Sequence, residues 1–299
     1  MQKTKYFIAV LTIVAISLIL LFPIYVSAQR EEIKIPVLVY HYFYKEKEEA
    51  VKCNHSTVTS VENFEIQMDY LYRKNFKTLT MDELYRFLKG EYTPPKNSVV
   101  ITMDDGYKNN VTLAYPILKR YGFKSCIFVI GKTVIDKSNR PDEFEYLNLE
   151  DMVKYSDVFE FGSHTYDMHK IINGKPALLQ YSMLDILFDF INGQMVVQSP
   201  YFAYPFGGYN EVIIEILKSF NYKLAFTTKK GYVTSNSSPY ELPRFTISDK
   251  ISFQQFVRIV EGKYFEDYSE KKQKNNYKNR PSVGVNVNRR KSIPILRRS

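Results

Sequence analysis

The sequence predicts an α/β fold, a single (β/α) barrel that is distorted or incomplete. Three observations carry this. Short apolar runs recur through residues 35–260 with helical periodicities between them, the alternation expected of a parallel sheet covered by helices. The alternation extends over about 230 residues, close to the length of one such barrel. Polar clusters fall directly after apolar runs, at the strand ends where a barrel of this kind gathers its functional residues.

Ile35–Tyr40 is a continuous apolar run and reads as the first long strand. In Val61–Lys74, Val61, Phe64, Met68 and Leu71 recur at helical spacing, with Ser60 as N-cap. Thr80 caps a second helix that runs through Leu88 and stops at Gly90. Ser98–Met103 is the next strand and Val111–Tyr121 the next helix. Strands are expected again at Ser125–Ile130, Val158–Phe161, Tyr201–Tyr204 and Leu224–Thr227. Helices at Leu149–Tyr155, Pro176–Asn192, Tyr209–Phe220 and Phe253–Val260 complete the series.

The 299 residues carry 41 Lys+Arg against 32 Asp+Glu, a formal charge of +9. A fold-level nucleic-acid binder carries such charge on its body. Here 11 basic and 3 acidic residues fall in 263–299, and residues 29–262 are close to neutral, so no nucleic acid is expected. Residues 263–299 read as a basic, disordered tail, suited to anionic envelope polymers or lipids. Residues 1–28 read as a signal peptide or an N-terminal membrane anchor. Lys3 and Lys5 precede an apolar stretch from Tyr6 to Val26, and Val26-Ser27-Ala28 offers a small-residue cleavage site. Both readings place residues 29–262, the expected catalytic domain, outside the cytoplasm, secreted or held at the outer face of the membrane or wall. Cys126 lies in an apolar run and reads as a small buried hydrophobe; a bridge to Cys53 is permitted but not established.

Three polar clusters carry the chemistry. Asp104-Asp105-Gly106 follows the run Val99-Val100-Ile101. Two adjacent acids at a strand end are costly unless paired or ligating. Neighbouring side chains diverge, so one can bind metal while the other handles protons; a helix N-cap with a spare acid is the plainer alternative. Gly162-Ser163-His164-Thr165-Tyr166-Asp167-Met168-His169 follows Phe159-Glu160-Phe161 and holds two of the four histidines. Two imidazoles and one carboxylate with open positions make a catalytic metal set. Asp167 has a second reading, as a partner that orients an imidazole. In Tyr204-Pro205-Phe206-Gly207-Gly208 a proline and two glycines shape a turn whose free N–H groups suit an oxyanion. His41 follows the first strand, Arg244 sits in Leu242-Pro243-Arg244-Phe245, and His55 has no assigned role.

Together these segments resemble the polysaccharide deacetylases with a NodB-like domain, carbohydrate esterase family four. Met103–Gly106, Ser163–His169 and Tyr204–Gly207 look like the family's first three motifs, in the family's order. The resemblance covers roughly residues 35–260. It implies that Asp104 is the general base and that Asp105, His164 and His169 bind a divalent metal, zinc first and Co²⁺ or Ni²⁺ as alternatives. Phe206 N–H would hold the oxyanion, with Tyr204 and Pro205 shaping that turn against substrate. The reaction implied is hydrolysis of the acetamide on an N-acetylglucosamine polymer, releasing acetate.

The sequence also departs from the common pattern. Four residues separate the two histidines where three is usual. Ala203 stands where many members place an arginine that touches the catalytic aspartate, and no histidine follows His169. The poly-N-acetylglucosamine deacetylase subgroup is similar in its longer spacing and in an early Tyr-His segment, here Tyr40-His41. That likeness implies His41 as the general acid and Arg244 in place of the missing arginine. Two other functions compete: a two-carboxylate glycoside hydrolase, which needs no histidine pair, and a non-catalytic envelope glycan-binding protein on the same fold.

Overall fold

The computed structural model describes residues 32–46, 57–136 and 144–266. The chain divides into two units after Gly262; of the second, residues 263–266 are described. The expected leader or anchor, Cys53, His55 and the tail beyond residue 266 lie outside the described residues. Among the described residues no helix is long and apolar enough to cross a membrane.

Among the described residues the main sheet of the first unit has nine strands, seven of which form its parallel frame: β1 (Ile35–Tyr40), β2 (Ser98–Met103), β3 (Ser125–Val129), β4 (Phe159–Ser163), β5 (Tyr201–Ala203), β6 (Leu224–Phe226) and β7 (Phe245–Thr246). Their order is β6-β5-β4-β3-β2-β1-β7. The sheet curls until one short stretch meets both of its edges. Leu242 bridges Phe226 of β6, with Thr227 N–H donating to Leu242 O at 2.8 Å and Leu242 N–H to Ala225 O at 3.0 Å. A few residues later Phe245 and Thr246 pair with Leu38 and Val39 of β1. Residues 242–246 thus link β6 to β1, beside an antiparallel pairing of Tyr232–Val233 with Ile35–Pro36, and the barrel is distorted there.

Among the described residues eight α-helices accompany the sheet: α1 (Val61–Arg73), α2 (Met81–Leu88), α3 (Tyr115–Tyr121), α4 (Gly131–Ile135), α5 (Leu149–Lys154), α6 (Met183–Val196), α7 (Glu211–Ser219) and α8 (Phe253–Val260). The expected caps form. Ser60 accepts from Asn63 N–H, and Thr80 makes a reciprocal capping box with Glu83. Val37, Val100, Cys126, Phe128, Ala203 and Phe226 form one buried cluster, joined by Leu84 and Phe87 of α2. Phe190 of α6 and Leu217 of α7 pack on Phe202 and Tyr204 in a second cluster. Cys126 is a free, buried thiol.

Two expected helices differ in detail. Val111–Tyr121 begins as a π-turn, Asn110–Ala114, before α3. Pro116 has no N–H to give the carbonyl four residues back, so a regular α-helix cannot run through that point. The expected helix Pro176–Asn192 is a small antiparallel pair (Ile171–Ile172 with Lys175–Pro176), a 3₁₀ turn, and then α6, capped at Ser182. A Ser cap holds the helix start at Met183.

Gly162 of β4 backs directly onto Phe128: a Cβ there would lie 2.4 Å from the ring. Overpacking of this kind costs about 1–3 kcal/mol. Gly162→Ala is therefore expected to lower the Tm by several degrees, at about 2–4 °C per kcal/mol for a domain this size. Calorimetry checks this, and an unchanged Tm would mean that the ring has room to move.

Candidate active site

Every cluster singled out in the sequence lies at the C-terminal end of the parallel strands. Asp104 N–H still donates to Tyr40 O at 3.0 Å, extending the β1–β2 ladder by one residue. Asp105 then takes φ 73°, so the two adjacent carboxylates part. Gly106 follows at φ 74°, and a Cβ there would meet Val129 at 3.0 Å.

Asp104 is held by Arg244. Nη1 and Nη2 each donate to one carboxylate oxygen at 2.7 Å. Arg244 is fully buried. Its Nε donates to Thr227 O at 3.0 Å and Nη1 also reaches Thr102 Oγ1 at 3.3 Å. The guanidinium carbon lies 5.7 and 5.9 Å from the ring centres of Phe128 and Phe226. Burial pushes the Asp104 carboxyl up, but the charge and hydrogen bonds of Arg244, together with His164 and His41, outweigh it, and the group stays below the ordinary carboxylate range.

Asp105 turns to the histidines. Its Oδ1 lies 3.1 Å from His169 Nε2 and 3.5 Å from His164 Nε2. The ligand atoms of Asp105, His164 and His169 all fall within 4.8 Å of one another. Burial raises the Asp105 carboxyl, but the His169 hydrogen bond and the surrounding imidazoles hold it well below the usual range. His164 N–H continues the ladder to Val129 O at 2.9 Å, and its Nδ1 meets Ala203 O at 2.7 Å, which leaves Nε2 facing Asp105. Burial pushes His164 down to about 4, so the ring is neutral. For His169 burial works downward too, but the Asp105 hydrogen bond and charge prevail and raise it. These residues fit a divalent ion. Asp105 Oδ1 is buried without a well-directed hydrogen-bond donor, and two imidazole nitrogens face it.

The third cluster is a 3₁₀ turn, Pro205–Gly207, after β5. Gly207 and Gly208 N–H groups bond to Tyr204 O and Pro205 O, whereas none of the backbone bonds around the turn comes from Phe206 N–H. Phe206 sits at φ 55°, and its ring packs 4.5 Å from that of His169. Tyr204 is buried, its hydroxyl donating to Tyr240 O at 3.0 Å. Among the described residues other than Gly and Asn, positive φ occurs at Asp105, Thr165 and Phe206 alone, one in each motif. Such backbone costs of order 1–3 kcal/mol per residue and persists only where its surroundings over-determine it.

His41 follows β1, and its charge bears on both Asp104 and Asp105. Its Nδ1 is buried without a hydrogen-bond partner. Asp167 does not orient an imidazole; Lys132 Nζ holds it at the surface at 2.9 Å. Two supporting residues escaped the sequence reading. Asp189 of α6 is buried and accepts the N–H groups of Tyr166 and Asp167 at 2.8 and 2.7 Å, pinning the loop between the two histidines. An acid between buried Ile186 and Phe190 was its only signal. Asn110, in the π-turn, donates to His41 O at 2.6 Å.

The family model for polysaccharide deacetylase matches residues 91–225. A Bacillus subtilis protein, YxkH, named for that family, is 32% identical over 231 residues, 76% of each chain. The chain belongs to the polysaccharide deacetylase family. A poly-β-1,6-N-acetyl-D-glucosamine N-deacetylase of Staphylococcus aureus is 32% identical over 70% of this chain and 73% of its own. Among solved structures, the Streptococcus pyogenes deacetylase PplD in complex with acetate has a TM-score of 0.67 at 26% identity, covering 77% of this chain and 99% of that one. IcaB from Ammonifex degensii, at 23% identity and TM-score 0.65, shares the fold over 78% of this chain and 98% of its own. The activity is that of a polysaccharide N-deacetylase on a NodB-like α/β barrel.

Removing one partner of a buried ion pair costs about 3–5 kcal/mol, because the other charge is left stranded. Arg244→Met is expected to lose stability of that order in urea titrations. The double variant Asp104→Asn/Arg244→Met should be less destabilised than Arg244→Met alone, since no unpaired carboxylate remains. Equal losses would mean that packing, not charge, holds Arg244.

Proposed function

We propose that this deacetylase hydrolyses the acetamides of an N-acetylglucosamine polymer outside the cytoplasm, with a divalent ion, zinc by preference, held by Asp105, His164 and His169. One observation carries the reading: three ligand atoms converge beside a second carboxylate that is held apart and ionised by Arg244. The name of the Staphylococcus aureus relative supports the substrate class. Two imidazoles and a carboxylate suit zinc, and cobalt or nickel would be accepted by the same donors. The bound ion would supply Lewis acidity to the acetamide carbonyl.

The chain's own residues account for the proton movements. Asp104 accepts a proton from the attacking water, and Arg244 keeps Asp104 ionised and aimed. The Phe206 N–H donates to the oxyanion that develops on the carbonyl oxygen, with Tyr204 and Pro205 fixing that turn. His41 donates a proton to the departing amine nitrogen, so amide and water leave as amine and acetate. A two-carboxylate glycosidase is disfavoured, because one acid is occupied by Arg244 and the other by imidazoles. Location outside the membrane rests on residues 1–28, and envelope retention on the basic tail.

Acetate release from β-1,6-linked N-acetylglucosamine oligomers, with and without chelator, tests the reading; activity untouched by chelation would sink the metal assignment. Asp104→Asn is expected to retain the ion and lose about 10²–10⁴-fold in kcat, as is His41→Ala. His164→Ala should lose the ion as well, by calorimetric titration. Asp189→Ala loosens the ligand loop and should weaken ion affinity about 10–100-fold. Arg244→Gln removes the charge that depresses Asp104, so the acid limb of the kcat/KM profile should move to higher pH. An unmoved limb would separate Asp104 from the base role.

A further inference from the structure

Beside the reacting centre stands a group of aromatic rings for which the chemistry above has no use. Tyr107, two residues beyond Asp105, is buried at its middle. Tyr42 packs edge-on against it at 5.2 Å, Phe144 at 5.3 Å, and Tyr146 stacks on it at 5.2 Å; Tyr42 and Phe144 are 4.9 Å apart. The backbone fixes this arrangement. Leu147 N–H donates to Gly106 O at 2.9 Å and Lys108 N–H to Glu145 O at 2.8 Å, so residues 144–147 lie along the segment that leaves Asp105. Asn110 and Asn109 hold the carbonyls of His41 and Phe43 on either side of Tyr42.

A ring cluster in a core is closed on all sides. Here Tyr107 is buried, while Tyr42, next to His41 in the chain, and Phe144 and Tyr146, beside the segment that leaves Asp105, are half-buried. The adjoining cation is neutralised, since Lys108 pairs with Asp151 at 2.5 Å. Glu145, between Phe144 and Tyr146, is exposed and 3.9 Å from Lys108 Nζ, and a preformed aromatic wall with a carboxylate at its rim suits the apolar face and hydroxyls of a neutral sugar ring.

We propose that Tyr42, Phe144 and Tyr146, packed around Tyr107, form a stacking subsite for a neutral N-acetylhexosamine ring adjoining the one that reacts. This rests on the deacetylase reading above. It makes the enzyme a reader of polymer rather than of single sugars, with kcat/KM rising as oligomers lengthen.

The chain contains no tryptophan, so Phe144→Trp installs a single fluorescent reporter in the wall. Titration of the metal-loaded variant with an N-acetylglucosamine pentamer should shift or quench its emission, and the monomer should do so far more weakly. Phe144→Ala should lower kcat/KM for the pentamer about five- to tenfold more than for a small aryl acetate, the size of one stacking contact. Phe144→Tyr should restore the difference. Phe188→Ala, an exposed ring on α6, serves as the control and should change neither. Unchanged emission from the Phe144→Trp variant, together with equal losses on both substrates for Phe144→Ala, would overturn the subsite while leaving deacetylation standing. An emission response of the Phe144→Trp variant without acetate release by the wild-type enzyme would uphold the subsite and overturn the reaction.

Discussion

Taking a guanidinium and a carboxylate out of water costs several kcal/mol per ion unless geometry and further hydrogen bonds offset it. Arg244 and Asp104 meet that condition: two parallel bonds of 2.7 Å, a carbonyl for Nε, a threonine hydroxyl beneath, and aromatic rings nearby. The pair ties β2 to the stretch that links the two edges of the sheet. It also gives the two adjacent carboxylates different surroundings. One is saturated by a cation and stays ionised; its neighbour is left to face two imidazoles.

The second constraint is backbone strain distributed over the three motif turns. Asp105, Thr165 and Phe206 each hold a left-handed conformation that a side chain disfavours. Each has its own restraint. The β1–β2 ladder reaches Asp104, Asp189 grips the residues after Thr165, and Phe206 stands between Pro205 and a glycine whose Cβ would strike Thr228 at 2.1 Å. The sheet and its helices supply the stability that these turns draw on.

The long strands and capped helices were legible in the sequence because their signals are local: an apolar run, a period, a Ser or Thr before it. The cluster of Asp105, His164 and His169 was legible for the same reason, since its members sit in two short segments that each follow a strand. Arg244 could be suspected only through the missing arginine at position 203. Its place depends on barrel closure by Leu242–Thr246, where Phe245–Thr246 is too short a strand to leave a pattern. Asp189 was illegible because an acid on a helix ordinarily faces water, and its partners lie 22 and 23 residues away. The turn at Asn110 follows from Pro116, but its grip on the His41 carbonyl spans 69 residues and leaves no trace in either segment.

Arg244 and Asp104 are 140 residues apart. A polypeptide that emerges N-terminus first therefore presents the acid pair and the histidines long before their counter-cation. Until residues 242–246 arrive, the mouth of the sheet holds an excess of negative charge and one open seam. The buried pair at the floor of the site is thus completed only once residues 242–246 have been made and folded.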